Sequence, residues 1–435
     1  MNSSSQVINR QYTIALKHKS MKSRQIIRAS AFCFLMASLI TPSKAESNWP
    51  QWRGTNRDGH STDTGLLNSW PETGPEMVWI FKNAGKGYSS PAIADGRYYS
   101  MGTRDNNTIL LCLDANTGEE QWAKEIGNIL GNGWGDGPRG TPAVDGDKVY
   151  ALTGEGNLVC ASTKDGTIVW ETTMSKLGGS EPKWGYSESV LLDGSNILVT
   201  PGGDKGTVAA LDKASGKVIW QSGDITDHAH YSSVVAAEIN GSKQYVQRTE
   251  KSIFGLNPET GNVLWKTDFP GRTAVIPTPI VLGNRVYVTA GYGAGCKAIE
   301  IQPDNTVKEL YSNREMKNHH GGVVRVGGQV FGYSDGIGWL CQNLSDGSEV
   351  WAERKALGKG AITYVDGKLI CLDESKGHVV MLDASTKGYN ELSRFTLDPQ
   401  SEIRASRGKI WTHPVIVNGK LYLRDQDLIY CYKVK

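Results

Sequence analysis

The amino-acid sequence predicts an all-β fold, an eight-bladed β-propeller of four-stranded antiparallel blades, on three observations. A tight-turn dipeptide flanked by apolar runs occurs eight times, at Asp95-Gly96, Asp145-Gly146, Asp193-Gly194, Asn240-Gly241, Gly283-Asn284, Gly327-Gly328, Asp366-Gly367 and Asn418-Gly419. In five of the units a glycine stands four residues before a tryptophan, and the two ends of the chain hold complementary fragments of one unit.

The turns come first. Both central residues of a type I′ turn take positive φ, which selects Asn, Asp and Gly. Each dipeptide joins two β-rich runs, such as Pro91-Ala92-Ile93-Ala94 and Arg97-Tyr98-Tyr99-Ser100, and successive turns lie 39 to 52 residues apart, a blade period. A composition of 51 Gly, 13 Trp and 17 Tyr against 7 Phe suits short strands and tight turns rather than a helical bundle.

The Gly/Trp pairs follow at Gly118/Trp122, Gly166/Trp170, Gly216/Trp220, Gly261/Trp265 and Gly347/Trp351. The glycine turns the third strand into the fourth, and the tryptophan lies between neighbouring blades, burying ~150–250 Å². The units around Tyr311 and Phe395 lack the pair and read as two degenerate blades. At the ends, Trp411 to Lys435 supplies three strands and stops, whereas Glu76 to Phe81 reads as a fourth strand with no preceding three. Pairing the two closes the ring and removes two open sheet edges.

The first 45 residues stand apart from this pattern. Basic Lys22 and Arg24 precede an apolar stretch from Ala31 to Ile40, and Thr41-Pro42-Ser43-Lys44-Ala45 puts small residues at the positions a signal peptidase reads. The segment reads as an export signal cleaved after Ala45, with Met21 as its start, leaving 46–435 as a single propeller domain in the periplasm or outside the cell. About ten apolar residues are too few to span a bilayer, and no Leu-Ala-Gly-Cys-type lipid-attachment motif precedes Cys33. The leader holds seven of the 47 basic residues and none of the 45 acidic ones, so the body carries 40 against 45, a net charge of −5. A mildly acidic body argues against a nucleic-acid partner. No amphipathic helix is visible, so membrane insertion of the mature chain has no support, and a monomer is expected.

Six cysteines remain in the body: Cys112, Cys160, Cys296, Cys341, Cys371 and Cys431. An even number permits disulfides. Cys112, Cys160, Cys341 and Cys431 recur at the same inner-strand position, however, where a small apolar residue is wanted, so structural burial is expected.

In a propeller the residues just before each first strand ring an axial funnel. Here they are Tyr88, Arg139, Tyr186, Tyr231, Ile276, His320, Lys359 and Thr412, with His228, His230, His319 and His413 beside them. Five of the chain's eight histidines fall at these places, and imidazole binds ligands or moves protons near neutral pH. Two loops are candidates to present further groups. Residues 131–140 offer Trp134 and Arg139; their formal Gly135-x-Gly137-x-x-Gly140 match to a dinucleotide fingerprint is rejected because a strand, not a helix, follows. Residues 184–188 offer Glu188, a possible base among the histidines, although a paired polar residue at the surface is the favoured reading. The expected ligand-binding set is therefore Tyr88, Trp134, Arg139, Tyr186, Glu188, His228, His230, Tyr231, His319, His320 and His413, with no catalytic residue assigned. A metal would need at least three convergent ligands, and none is expected; a metal-dependent hydrolase or lyase on His228, His230, His319 and His320 is a third-ranked reading. Asp105, Glu155, Asp204, Glu250, Asp335, Glu374 and Asp425 come from seven blades on the same face, and ordinary turn chemistry accounts for them better than a cation-attracting ring. No P-loop, HExxH or GxSxG pattern occurs.

The segments from Cys112 to Trp122 and from Ala210 to Trp220 resemble the tryptophan-docking motif of pyrroloquinoline-quinone (PQQ) repeat proteins. That superfamily includes quinoprotein alcohol dehydrogenases and the outer-membrane assembly lipoprotein BamB. The opening Asn48 to Gly59, Asn318 to Gly322 and the closing Leu421 to Gln426 are similar to bacterial PQQ-like propellers of unassigned role. The resemblance spans essentially the whole body and implies the fold; it implies less about activity, because one fold hosts many functions. Family dehydrogenases carry PQQ with calcium, a carboxylate base and often a vicinal disulfide; this sequence has no adjacent cysteines and no CxxCH haem site. The resulting expectation is a non-enzymatic, BamB-like scaffold that binds a protein partner or small polar ligand at its funnel. The alternative is a PQQ-dependent alcohol or sugar dehydrogenase.

Overall fold

Each of the eight sequence units folds into one antiparallel sheet. The computed structural model describes residues 47–435; the export signal and its cleavage after Ala45 lie outside the described residues. Blade 1 runs Ala92–Ala94, Arg97–Arg104, Asn107–Asp114 and Glu120–Asn128 from axis to rim. The first strands of blades 2 to 7 are Ala143–Asp145, Leu191–Asp193, Val235–Ile239, Ile280–Leu282, Val323–Val326 and Gly360–Val365. Blade 8 starts at Val415–Val417 and is completed by Met77–Phe81, which pairs antiparallel with Leu428–Lys433 and sets Trp79 opposite Cys431. The ring closes as the two chain ends predict. Among the described residues no helix is long and apolar enough to cross a membrane.

Tryptophans hold one blade to the next. The indole N–H of Trp79, Trp122, Trp170, Trp220 and Trp351 donates to a turn carbonyl of the following blade, at Ala115, Thr163, Lys213, Pro258 and Ser385 (2.9–3.2 Å). The glycine of that turn is demanded twice over: Gly166 has φ +72°, and a Cβ there would sit 2.7 Å from the ring of Trp122. Behind each ring a small residue is required. Cys112, Cys160, Cys341 and Cys431 face Trp122, Trp170, Trp351 and Trp79, and Ala210 faces Trp220. These cysteines lie on the third strand rather than the innermost, and all six described cysteines are free and buried. Of the three blades without a Gly/Trp pair, blade 8 keeps a docking tryptophan in Trp79, and the other two are sound sheets with substitutes. The Tyr311 hydroxyl donates to Leu344 O (3.0 Å) in the place of an indole, and Phe395 packs on Trp70 and Tyr432.

The opening segment, Trp49 to Ser61, enters the axis and plugs it. Trp49 exchanges two backbone hydrogen bonds with Ile93 of blade 1, and Pro50 O accepts from Val144 N of blade 2. The Arg57 guanidinium donates to Ser189 O and Val190 O of blade 3 (2.8 and 2.9 Å), while Trp52 donates to Thr278 Oγ1 beside blade 5 (3.1 Å). Arg53 donates to Val323 O of blade 6 (2.5 Å). His60–Ser61 then adds in parallel to Gly360–Val365, giving blade 7 a fifth strand that the sequence does not announce. Arg53 and Arg57 take positive φ (62° and 56°), a strain of ~1–3 kcal/mol each that their buried hydrogen bonds offset.

Two consequences are measurable by chemical denaturation. Trp220→Ala removes a buried ring and its inter-blade bond and should cost ~3–5 kcal/mol. Arg57→Met keeps the side-chain length but leaves two buried carbonyls unpaired; with charge-assisted bonds at ~1.5–3 kcal/mol each, a loss near ~3 kcal/mol is expected, and a loss under ~0.5 kcal/mol would contradict the plug's role.

Candidate functional site

The plug closes the channel on the side of the dipeptide turns, so the other end is a blind cavity of about 370 Å³. Its floor is Trp52, whose ring meets His413 edge-on at 4.6 Å. The wall is built by the segments leading into the first strands: Tyr88 and Arg139 from blades 1 and 2, Ser187 and Ser189 from blade 3, Tyr231 and Ser233 from blade 4, Thr273, Ala274 and Ile276 from blade 5. His319 and His320 enter from blade 6, Lys359 and Glu374 from blade 7, and Trp411 and His413 from blade 8. Trp134, Trp184, Tyr292, Arg407 and Lys409 come from longer loops.

The glycine-rich loop 131–140 lies across Tyr88 because Gly135 touches its hydroxyl; a Cβ would sit 1.8 Å from that oxygen. The Tyr88 hydroxyl donates to Trp134 O (3.0 Å), and Arg139 stands 5.1 Å over the Tyr88 ring while donating back to Gly135 O and Gly137 O. Arg407 lies 5.7 Å over exposed Trp134.

Three of the histidines, His319, His320 and His413, form a cluster beside Lys359. Lys359 donates to Asp335 Oδ1 (2.7 Å) and to His319 Nδ1 (2.8 Å). The rings of His319 and His320 are 3.8 Å apart, and His320 stacks on Trp411 at 4.5 Å and 21°. His413 donates from Nε2 to His320 O (2.9 Å). Burial, aided by Lys359 beside His319 and Arg53 beside His413, pushes both imidazoles down to about 3. His320 is pushed well below the ordinary imidazole range by burial and the neighbouring His319 and Lys359. Opposite them, burial raises the Glu374 carboxyl to about 7. Its Oε2 accepts from the Trp411 indole (3.2 Å).

Seven of the eleven residues expected from sequence line the cavity: Tyr88, Trp134, Arg139, Tyr231, His319, His320 and His413. Four do not. Tyr186 is turned outward into the core between blades, 2% exposed, with its hydroxyl on Pro201 O (3.1 Å). Its neighbour Ser187 takes the cavity position. Glu188 is buried against Thr200, which donates to it from N and Oγ1, and burial raises it to about 7 with Arg57 as its nearest cation. His228 is exposed in an irregular segment bridged to Gly202. His230 accepts at Nδ1 from Val275 N (3.0 Å), and burial lowers it to about 4. Alternation along one strand face fails for this pair because residues 228–230 are not strand. Of the ring of eight, Thr412 is likewise off the cavity, donating to Arg424 O (2.6 Å), with Trp411 and His413 lining it on either side. Sequence reasoning missed Trp52, Tyr292, Arg407 and Lys409; nothing local distinguishes them, since each reaches the axis from a distant loop. The acidic residues form no ring: Asp425 is fully buried with Arg404, and Asp335 is tied to Lys359.

A sequence model of the family described as outer membrane protein assembly factor BamB matches residues 105–353. BamB of Salmonella typhimurium is 24% identical over 353 residues, covering 68% of this chain and 86% of that protein. BamB of Shewanella oneidensis is 22% identical over 242 residues, 54% of this chain, and the match spans little more than half of that relative, 56%. Among solved structures, BamB from Moraxella catarrhalis superposes with a TM-score of 0.59 at 16% identity, covering 82% of this chain and 97% of that one. Quinohemoprotein alcohol dehydrogenase from Comamonas testosteroni gives 0.56 at 10% identity, covering 89% and 80%. At such identities the structural likeness shows the fold alone.

The cavity does not fit PQQ with calcium. Calcium takes six to eight oxygen ligands, commonly several carboxylates, whereas Glu374 is the single acidic side chain lining the cavity among the described residues. No three His, Cys, Asp or Glu side chains among the described residues converge to hold a metal ion.

The buried groups predict a specific pH profile. Imidazoles held near 3 to 4 in the folded chain and at 6.5 when unfolded make the unfolded chain bind more protons between those values, so their stabilisation is full above 6.5 and is lost as pH falls. Glu188 and Glu374, raised from 4.5 to about 7, act oppositely, adding stability as pH falls from about 7 to 4.5. With the four lowered imidazoles of His230, His319, His320 and His413 set against these two raised carboxylates, the melting temperature should fall gently from pH 6.5 to 4.5 and steeply below. In a Glu188→Gln, Glu374→Gln double variant the fall between pH 6.5 and 4.5 should be steep as well.

Proposed function

This chain belongs to the outer membrane protein assembly factor BamB family of PQQ-repeat propellers, and on that premise we propose that it is an exported scaffold-type propeller that binds a protein segment or small polar ligand in its axial cavity. The observation that carries the proposal is the blind, aromatic cavity over Trp52. A scaffold with an open channel has no pocket at its axis; here the plug supplies a floor, and polar groups from every blade converge above it. Concave apolar walls with a few placed polar groups are the usual form of a ligand site. Export is supported by the leader-like pattern before Ala45 and by relatives named as outer membrane assembly factors.

Binding is favoured over oxidation by the groups at hand. A quinoprotein dehydrogenase needs a metal-held cofactor and a carboxylate free to take a proton; here, among the described residues, Glu374 is the one acid lining the cavity and its Oε2 already accepts from Trp411. The test is a ligand-observed NMR screen of a general fragment panel against the full chain and against Ile276→Trp, which fills the cavity from a half-buried wall position. Fragments should bind the native chain and be lost in the variant, with melting temperatures matched. Equal binding to both would place the ligand elsewhere, and dye-linked alcohol oxidation after adding PQQ and calcium would replace this reading with the dehydrogenase.

A further inference from the structure

We infer that the ligand of this cavity is an acidic saccharide, a hydroxylated ring carrying a carboxylate or sulfate; the inference rests on the cavity-binding reading above. Three independent features of the wall lead there.

The first is a pair of unsatisfied imidazole nitrogens at the cavity wall. An ammonium has no lone pair, so the bond from Lys359 Nζ to His319 Nδ1 places the proton of neutral His319 on Nε2. That Nε2 is buried without a partner, and so is Nδ1 of His320, whose ring lies 3.8 Å away and stacks on Trp411. Hydroxyl groups, which donate and accept at once, suit a wall that leaves such atoms unpaired.

The second is charge. Lys359 is neutralised by Asp335, but Arg407 and Lys409 line the cavity and form no ion pair with any described carboxylate within 4.0 Å. Against them stands one acid, Glu374. Free cations at the rim of a mostly apolar pocket attract an anion.

The third is the shape of the apolar surface. Among the described residues the aliphatic part of the wall is Ala274 and Ile276; the rest is flat aromatic faces. An acyl chain or leucine anchor packs best against branched side chains, whereas a flat face meets the C–H face of a ring. Glu374 and the hydroxyls of Ser187 and Thr273 sit among those faces. A sugar hydroxyl donates and accepts at once and can use both kinds of group.

The test is isothermal titration of the full chain with four probes: trigalacturonate, galactotriose, a sulfated galactose trimer and 2-naphthoate. Trigalacturonate or the sulfated trimer should bind, at least tenfold more tightly than galactotriose, and the stronger of the two names the anionic group. Arg407→Gln should weaken the acidic trimer about tenfold with no change in melting temperature. Galactotriose binding as tightly as both acids overturns the inference. So does 2-naphthoate binding when no saccharide does, although a cavity ligand then still exists. If none of the four binds, the saccharide reading fails, and the fragment screen with Ile276→Trp decides separately whether the cavity binds at all.

Discussion

A ring of sheets has an axis, and the groups that occupy it constrain everything else here. The first strand of each blade is an edge strand, with unpaired N–H and C=O groups facing the channel. Water could satisfy them, and the channel would then be an open pore. In this chain twelve or so residues do it instead. Trp49 pairs with Ile93 as a strand would, Pro50 and Gly59 offer carbonyls to Val144 and Tyr364, and two guanidinium forks reach carbonyls on blades 3 and 6. Arginine suits the task because it carries five donors in a rigid planar array and is more weakly hydrated than an ammonium. The same segment that seals the edges makes the floor of the cavity, through Trp52. Stability and site are therefore one construction.

Burying two guanidinium groups has an electrostatic cost, and burial lowers both Arg53 and Arg57 to about 10 and about 9. The counter-charges are Asp58 for Arg53 and Glu188 for Arg57. Glu188, read from the sequence as a possible base, has its oxygens held by Thr200, and Gln247 in turn donates to Thr200 Oγ1 (2.6 Å). Its electrostatic partner is the plug. The plug leaves one sector less filled: a second cavity of about 260 Å³ lies between Arg53, Asn56 and Asp58 and the first strands of blades 4 and 5. There the plug contributes a single side-chain bond, from Trp52 to Thr278.

The legible part of this fold is the part whose physics is local. A dipeptide needing positive φ, a glycine under an indole and a small residue opposite it are set by neighbours a few positions away, so eight turns and the docking tryptophans are visible from sequence. Even Tyr311 can be recognised in hindsight, since it offers a hydroxyl where other blades offer an indole. The plug is not legible. Residues 48–60 have the composition of any polar, glycine-containing loop, and their partners lie up to about 360 positions away, as His413 does from Trp52. The ring of residues before the first strands was legible to within one residue: six of eight face the cavity, while at Tyr186 and Thr412 the chain is rotated so that a neighbour does. That rotation is decided by tertiary bonds to Pro201 and Arg424, which no periodicity encodes.

The distinction between a site that binds and one that reacts follows from the direction of its protons. A catalytic imidazole needs a lone pair facing its substrate and a proton acceptor behind it, as when a carboxylate holds the far N–H. Here the order is reversed. Behind His319 stands an ammonium, which can only donate, so the proton of neutral His319 sits on Nε2, away from Lys359. Burial keeps His319 and His413 neutral at any physiological pH, so neither takes up a proton to serve as a general acid. His413 is occupied with His320 O. The proton of His319 is thus fixed by its neighbour, while Nε2 of His319 and Nδ1 of His320 are left unsatisfied by the protein.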